Sequence, residues 1–400
     1  MKNWLYEMAE QAQNNRNGRD IVIWGYYKAA NDLEEVLLNK YGIKTVFYVD
    51  GNKKLVDEVY IFSPDILEDK SSQYYVLIPL SYYQSIKESL EIWGYDSNDY
   101  YYFNDCVIVH DEKEYLDKHG NKIINPPKNV KFTFMGYDNE IIFNRPAGHF
   151  SELTFTFGSE NHIVIGCANI SSSDLFFGDG NRGDIGEQCV IKRSKIDLFG
   201  ESEFEFKNKA VIQNSHMVIS EKSKVDIGLG SVYEGNAKLI KACVHIGDDS
   251  EVACELTIYN DSAISIGNGC LITGRSDKYL AFNQKNIVLV MGETDVVIED
   301  ECLMSINIKL LAGDGHAIFD MATGENINKN KNNNIIIKKH TWIGANAILL
   351  AGTKISEDSI IGAGSVVKGS FPQNCIIAGN PAKVVKKDRT WDFDWNLEHI

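Results

Sequence analysis

The sequence predicts a mainly β protein, a parallel β-helix preceded by a small Rossmann-like α/β domain. Two observations carry this reading. Ile337, Ile343, Leu349, Ile355, Ile361 and Val367 stand six residues apart without a slip, and Thr341, Ala347, Thr353, Ser359 and Ser365 each follow one of the first five by four. Ahead of about residue 125, apolar runs alternate between strand-like and helix-like patterns instead. With 400 residues and 45.0 kDa there is room for more than one core.

The first domain is expected over 1–125. Ile21-Val22-Ile23-Trp24-Gly25 reads as a buried strand, Ala30, Leu33, Val36 and Leu37 as one face of a helix, and Thr45 to Val49 as a second strand ending at Asp50. Tyr75 to Ile78 and Val107 to Val109 are further strand candidates, with a helix from Ser85 to Trp93 between them, so the alternation implies a small parallel sheet. Asp50 stands where a ribose-binding acid would, but Gly25-Tyr26-Tyr27-Lys28-Ala29-Ala30 has bulky tyrosines where backbone must approach a pyrophosphate. Dinucleotide binding is therefore disfavoured; nucleotide-sugar or glycan binding and a structural role stay open.

An irregular β region, read as early coils of the helix, is expected over 126–245. Lys131-Phe132-Thr133-Phe134 and Phe204-Glu205-Phe206 alternate with period two but lack the hexad. The hexads themselves govern 246–387, with looser upstream copies at Ile246, Val252, Ile258 and Ile264. The small residue of each hexad lies two before the next aliphatic one, so both point to the same side of a strand. Large then small side chains inward suit a narrow coil that turns sharply. Cys189, Cys270 and Cys302 take the small-residue place, four after Ile185, Ile266 and Ile298.

Two segments break the rhythm, Gly274 to Asp295 and Ala312 to Asn334. A loop this long inside a compact repeat points to function, and the second, taken as 312–334, opens with Asp314-Gly315-His316. The remainder, 388–400, is a tail in which Trp391, Phe393 and Trp395 alternate with acids.

Composition narrows the function classes. Forty Lys and Arg against 56 Asp and Glu give a net charge of -16, which argues against nucleic acid as a partner. No apolar run approaches the ~20 residues of a membrane span and the start lacks a secretion signal, so a cytoplasmic location is expected. Eight scattered cysteines without a Cys-x-x-Cys pair argue against a disulfide scaffold or zinc knuckle.

The segment Asp314-Gly315-His316-Ala317-Ile318-Phe319-Asp320, then Thr323-Gly324 and Ile327-Asn328, then His340-Thr341-Trp342-Ile343-Gly344-Ala345, resembles the active-site loop and return to the coil of the hexapeptide-repeat acyltransferases with a left-handed β-helix, in particular their sugar O-acetyltransferase branch. Ile361 to Val367 and Ala378-Gly379-Asn380-Pro381-Ala382-Lys383-Val384 are similar to its closing elements. The resemblance covers about 296–387. It implies a left-handed parallel β-helix, acetyl-CoA as co-substrate, a homotrimer, and direct acetyl transfer to a hydroxyl of a bacterial surface polysaccharide or its precursor. It makes His316 the general base, with Asp314 or Asp320 orienting its imidazole; the sequence leaves the choice between them open. It also places Trp342, Gly344, Ala345, Ala363 and Gly364 along the pantetheine arm, and Lys368, Asn380, Pro381, Lys383 and Lys386 towards the nucleotide end. Lys368 stands one position earlier than the branch's lysine. No metal is expected, since His316 and His340 are far apart in sequence. The alternatives are an N-acetyltransferase for a nucleotide-linked amino sugar and a non-catalytic β-helix scaffold.

Overall fold

The computed structural model describes every residue except 1–2, 26–27, 52–54, 57–58, 80–82, 103–104, 109–113, 118, 129, 145–147, 274–285, 329–332 and 394–400. Tyr26 and Tyr27, most of the first expected break and Asp394 and Trp395 of the tail therefore lie outside the described residues. The chain forms two compact units. One is Met1–Phe143 with Thr154–Ile163 and Phe176–Asn181; the other is Asn144–Leu153 with Val164–Leu175 and Arg182–Ile400. Among the described residues no helix is long and apolar enough to cross a membrane.

In the first unit, α1 (Asn3–Asn15), β1 (Asp20–Trp24), α2 (Lys28–Tyr41), β2 (Thr45–Val49), β3 (Leu55–Val56), β4 (Val59–Phe62), β5 (Tyr74–Ile78), α3 (Tyr83–Ile92) and β6 (Tyr100–Tyr102) make a sheet of order β3-β4-β2-β1-β5-β6. All its pairs are parallel except β3 with β4. Alternation along β1 divides the core between its two faces: Ile21 and Ile23 pack with Leu5 and Met8 of α1 and Leu33 and Leu37 of α2, while Val22 and Trp24 pack with Ile86 and Leu90 of α3. The strand expected around Val107 does not join this sheet. Asp105–Ile108 pairs antiparallel with Lys131–Phe134, and the sheet's last strand is the tyrosine run Tyr100–Tyr102, whose side chains gave no apolar alternation to read.

The same unit holds wide coils filled by aromatic rings. Phe132 stacks on Phe155 at 5.4 Å, Phe134 on Phe157 at 5.7 Å and Phe157 on Phe177 at 5.1 Å. Beside them runs a ladder of buried asparagines. Asn139 donates to Asn121 Oδ1 at 2.7 Å, Asn161 to Asn139 Oδ1 at 2.8 Å and Asn181 to Asn161 Oδ1 at 3.0 Å. The second amide hydrogens of Asn139 and Asn161 go to the carbonyls of Gly158 and Gly178. Each rung satisfies backbone that turns inward, where an unpaired polar group would be costly.

The second unit is a parallel β-helix. Its strands stack coil on coil: Ile191 lies opposite Ile212, Ile196 opposite Met217 and Phe204 opposite Val225, a repeat of twenty-one residues. Towards the C-terminus the coil tightens to eighteen, with Ile337 opposite Ile355, Ile343 opposite Ile361 and Leu349 opposite Val367. Three hexads then make one coil, and the aliphatic and small residues of each hexad are all buried. The small side chains also hold the corners: Thr341 Oγ1 donates to Lys338 O, Thr353 Oγ1 to Leu350 O and Ser365 Oγ to Gly362 O. Cysteines do the same work, Cys189 donating to Lys207 O and Cys302 to Lys338 O. Burial pushes the Cys189 thiol up to about 11, which keeps it a protonated donor.

Two insertions interrupt the stack. Ile264 faces Val296, thirty-two residues on, across the undescribed 274–285; the strand Asn286–Val290 is already back in the ladder. Val296 faces Ile335, thirty-nine residues on, and the surplus is the loop that starts at Gly313.

Candidate active site

The loop leaves the coil after the strand Lys309–Ala312. Gly313 lets it do so flush against the preceding coil: its φ is +111°, and a Cβ there would stand 2.6 Å from Met291 O. The chain then folds into a hairpin. Ile327 N donates to Ile318 O at 2.8 Å, Phe319 bridges Asn326 antiparallel, and Asp320 N donates to Glu325 O at 2.9 Å.

Asn328 ties the hairpin base together. Its amide nitrogen donates to Asp314 Oδ2 and to His316 O, both at 2.9 Å, and its oxygen accepts from Ile318 N at 2.8 Å. One side chain thus fixes the carboxylate, the histidine's backbone and the start of the hairpin strand. The sequence signalled Asn328 only as part of a motif, with no indication of this bonding.

Asp314, His316 and Asn328 line a cavity of about 300 Å³ together with Met291, Gly292, Gly313 and the asparagines Asn260, Asn326 and Asn333. The His316 ring is exposed and makes no hydrogen bond among the described residues. Asp320 is not part of the lining. Its carboxylate closes the hairpin turn, accepting from Ala322 N at 2.9 Å, Thr323 N at 2.8 Å and Thr323 Oγ1 at 3.1 Å. The Thr323 N–H and hydroxyl hold that carboxyl below the usual carboxylate range.

The residues expected along a pantetheine arm gather at a different corner of the coil. Gly344 follows Ile343, and a Cβ on it would stand 2.7 Å from Ala363 N, so the two coils touch backbone to backbone there. Gly364 N donates to Ala345 O at 2.8 Å, setting Ala345 and Gly364 one above the other. The loop departs instead from the corner of Ala351 and Gly352, because Lys309–Ala312 stacks on Ile348–Leu350 and Gly352 N donates to Asn333 O. Among the described residues, none from Trp342 onward lines the His316 cavity. Lys368, Asn380, Pro381, Lys383 and Lys386 are exposed, Lys383 and Lys386 on the strand Ala382–Lys387 that folds back antiparallel on Cys375–Gly379, and the three lysines make no ion pair among the described residues.

Trp342, 36% exposed, donates to Ser305 Oγ at 3.5 Å and lies 6.1 Å from Trp391 of the tail. Trp391 itself is buried: its ring stacks on His340 at 4.5 Å, and its indole N–H donates to His340 O at 2.9 Å. His340 in turn pairs with Asp358 at 2.8 Å. Among the described residues no group of three or more His, Cys, Asp or Glu is placed to hold a metal ion.

Comparison with known proteins bears on this segment. Residues 334–369 match the family model of the bacterial transferase hexapeptide (six repeats). A stretch of 103 residues is 37% identical to the polysialic acid O-acetyltransferase of Escherichia coli O1:K1 / APEC, covering 26% of this chain and 33% of that protein. Another of 140 residues is 27% identical to the galactoside O-acetyltransferase of Lactococcus lactis subsp. lactis (strain IL1403), covering 32% of this chain and 65% of that protein. The chain thus spans about a third of the first relative's length. Among solved structures, the polySia specific acetyltransferase NeuO aligns with a TM-score of 0.41 at 22% identity, over 64% of this chain and 87% of that one. Residues 334–369 of this chain therefore match the hexapeptide repeat of bacterial transferases.

Proposed function

We propose that the protein is an acetyl-CoA-dependent O-acetyltransferase acting on a sugar hydroxyl of a bacterial surface polysaccharide or its precursor, with His316 as general base. The observation that carries this is the hairpin: within hexapeptide coils, it holds an unpaired imidazole at a cavity large enough for a sugar residue. Relatives of part of the chain are named as a polysialic acid O-acetyltransferase and a galactoside O-acetyltransferase.

The chemistry follows from the weakness of a sugar hydroxyl as a nucleophile. As its oxygen attacks the thioester carbonyl, its proton passes to a nitrogen of His316, and the tetrahedral oxyanion is stabilised by a backbone N–H. Collapse expels the CoA thiolate, which takes the proton back from the imidazolium. No acyl-enzyme is formed. Of the two carboxylates, Asp314 is the one available to orient His316: it lines the same cavity, without a bond to the ring here, while Asp320 is spent on the turn.

Trp342, Gly344, Ala345, Ala363 and Gly364 form the coenzyme track, whose close backbone stacking suits an extended pantetheine arm. The exposed, unpaired ammonium groups of Lys368, Lys383 and Lys386, with Asn380 and Pro381, would take the phosphates. That track and His316 occupy different corners of one chain, so a complete site needs His316 from one copy and the track from the next, which is the reason for a homotrimer. The hairpin supports this. Ile318, Phe319, Met321 and Ile327 are exposed there, Met321 by 99%, and a neighbouring copy would cover them.

Incubating the full chain with acetyl-CoA and a panel of polysaccharides and nucleotide-linked amino sugars tests the reading. Base-labile acetyl groups on a glycan, with matching CoA release, are expected. A base-stable product on an amino sugar would point to N-acetylation instead.

A further inference from the structure

The cavity beside His316 has a character that the catalytic residue does not explain. Four of its lining residues are asparagines, Asn260, Asn326, Asn328 and Asn333. Asn328 spends its side chain on the hairpin base, but Asn260 and Asn333 line the same space and their side-chain amides have no hydrogen-bond partner among the described residues. An amide offers both donors and acceptors, as a sugar hydroxyl does, so two unspent amides match a diol better than an ionic group. Met291 supplies an apolar surface in the same lining, suited to the carbon face of a pyranose ring. The one ionic group among the described lining residues besides the histidine is a carboxylate, Asp314, and the chain carries a net charge of -16. Both oppose the approach of an anionic sugar.

Asn260 and Met291 come from coils upstream of the loop. Glu293 N donates to Asn260 O at 3.1 Å and Met291 N to Ala312 O at 3.0 Å, so the two stack at the corner from which the loop departs. The subsite therefore extends from His316 back along the coils, away from the residues of the coenzyme track.

We infer that this cavity is an acceptor subsite for an uncharged, multiply hydroxylated sugar, gripped by Asn260 and Asn333 with its ring against Met291, and that it disfavours carboxylated sugars. The inference rests on the O-acetyltransferase reading and names its acceptor class. It sets this chain apart from its relative named for polysialic acid, an anionic polymer.

Saturation-transfer NMR on the full chain, without acetyl-CoA, tests it with methyl β-galactoside and the methyl glycosides of glucuronic and N-acetylneuraminic acid. The neutral glycoside is expected to bind, and the anionic ones about tenfold more weakly or less. The double variant Asn260→Ala/Asn333→Ala should weaken the neutral ligand about tenfold. As both side chains lie at the surface of the coil, circular dichroism should be unchanged. Asn333→Lys should raise the affinity for the anionic glycosides by a similar factor. Anionic glycosides binding as well as neutral ones, or neutral binding indifferent to the double variant, would overturn the inference. Neutral binding without any acetyl transfer would contradict the proposed activity and leave the subsite standing.

Discussion

Asn328 shows how much of the candidate site rests on one uncharged side chain. It bonds to Asp314, to the carbonyl of His316 and to Ile318 N, so its loss frees the segment that carries the proposed base. Asn328→Ala should lower kcat by about 10- to 100-fold while shifting the thermal midpoint little, because the hairpin is an appendage of the coil; unchanged kcat in steady-state assays would refute this. Asp320 acts differently. Its carboxyl is depressed by bonds to the Thr323 backbone and hydroxyl, so its hold on the turn is complete above the ordinary carboxylate value and is lost as pH falls through the lowered one. The amide resonances of Ala322 and Thr323 should therefore stay in place from pH 7 down to about 4.5. Movement centred on the ordinary aspartate value would show that those bonds are absent in solution. His316 was legible as a candidate from its loop motif. The partners that hold its backbone were not, since asparagines in a polar loop carry no period.

Within the coils, legibility followed coil length. Eighteen residues is a multiple of six, so from Ile337 to Val367 every aliphatic position recurs in frame. Coils of nineteen to twenty-one residues, such as Val225 to Val244 and Phe204 to Val225, keep the in-out alternation along each strand but slip the frame at every corner. The hexad signal fades there although the architecture persists. The asparagine ladder was invisible for a similar reason: Asn121, Asn139, Asn161 and Asn181 are separated by eighteen, twenty-two and twenty residues, and no fixed period joins them. The packing predicts a contrast between neighbours. Leu349 is fully buried while Ile348 faces outward, so Leu349→Ala should destabilise by about 2–5 kcal/mol and Ile348→Ala by under about 1 kcal/mol in urea titrations. Equal costs would mean that the inward and outward faces are misassigned.

For the molecule as a whole, the α/β alternation was readable at β1, α2, β2, β5 and α3, and it missed the short strands β3 and β4 at one edge and the strand Tyr100–Tyr102, where tyrosines edge the sheet. The separation of the His316 cavity from the Gly344 corner matters at this scale. Light scattering should give a mass about three times 45.0 kDa, and a monomer with full activity would contradict the shared site. It also follows that two inactive variants, one altered at His316 and one at Gly344, should regain activity when mixed subunits assemble.

The central claim is that His316 removes the proton from the attacking hydroxyl. Its most direct test is single-turnover acetyl transfer by wild type and His316→Ala, with acetyl-CoA affinity measured in parallel. Transfer should fall by about 10²- to 10⁴-fold with affinity unchanged; wild-type transfer in the variant would contradict the assignment.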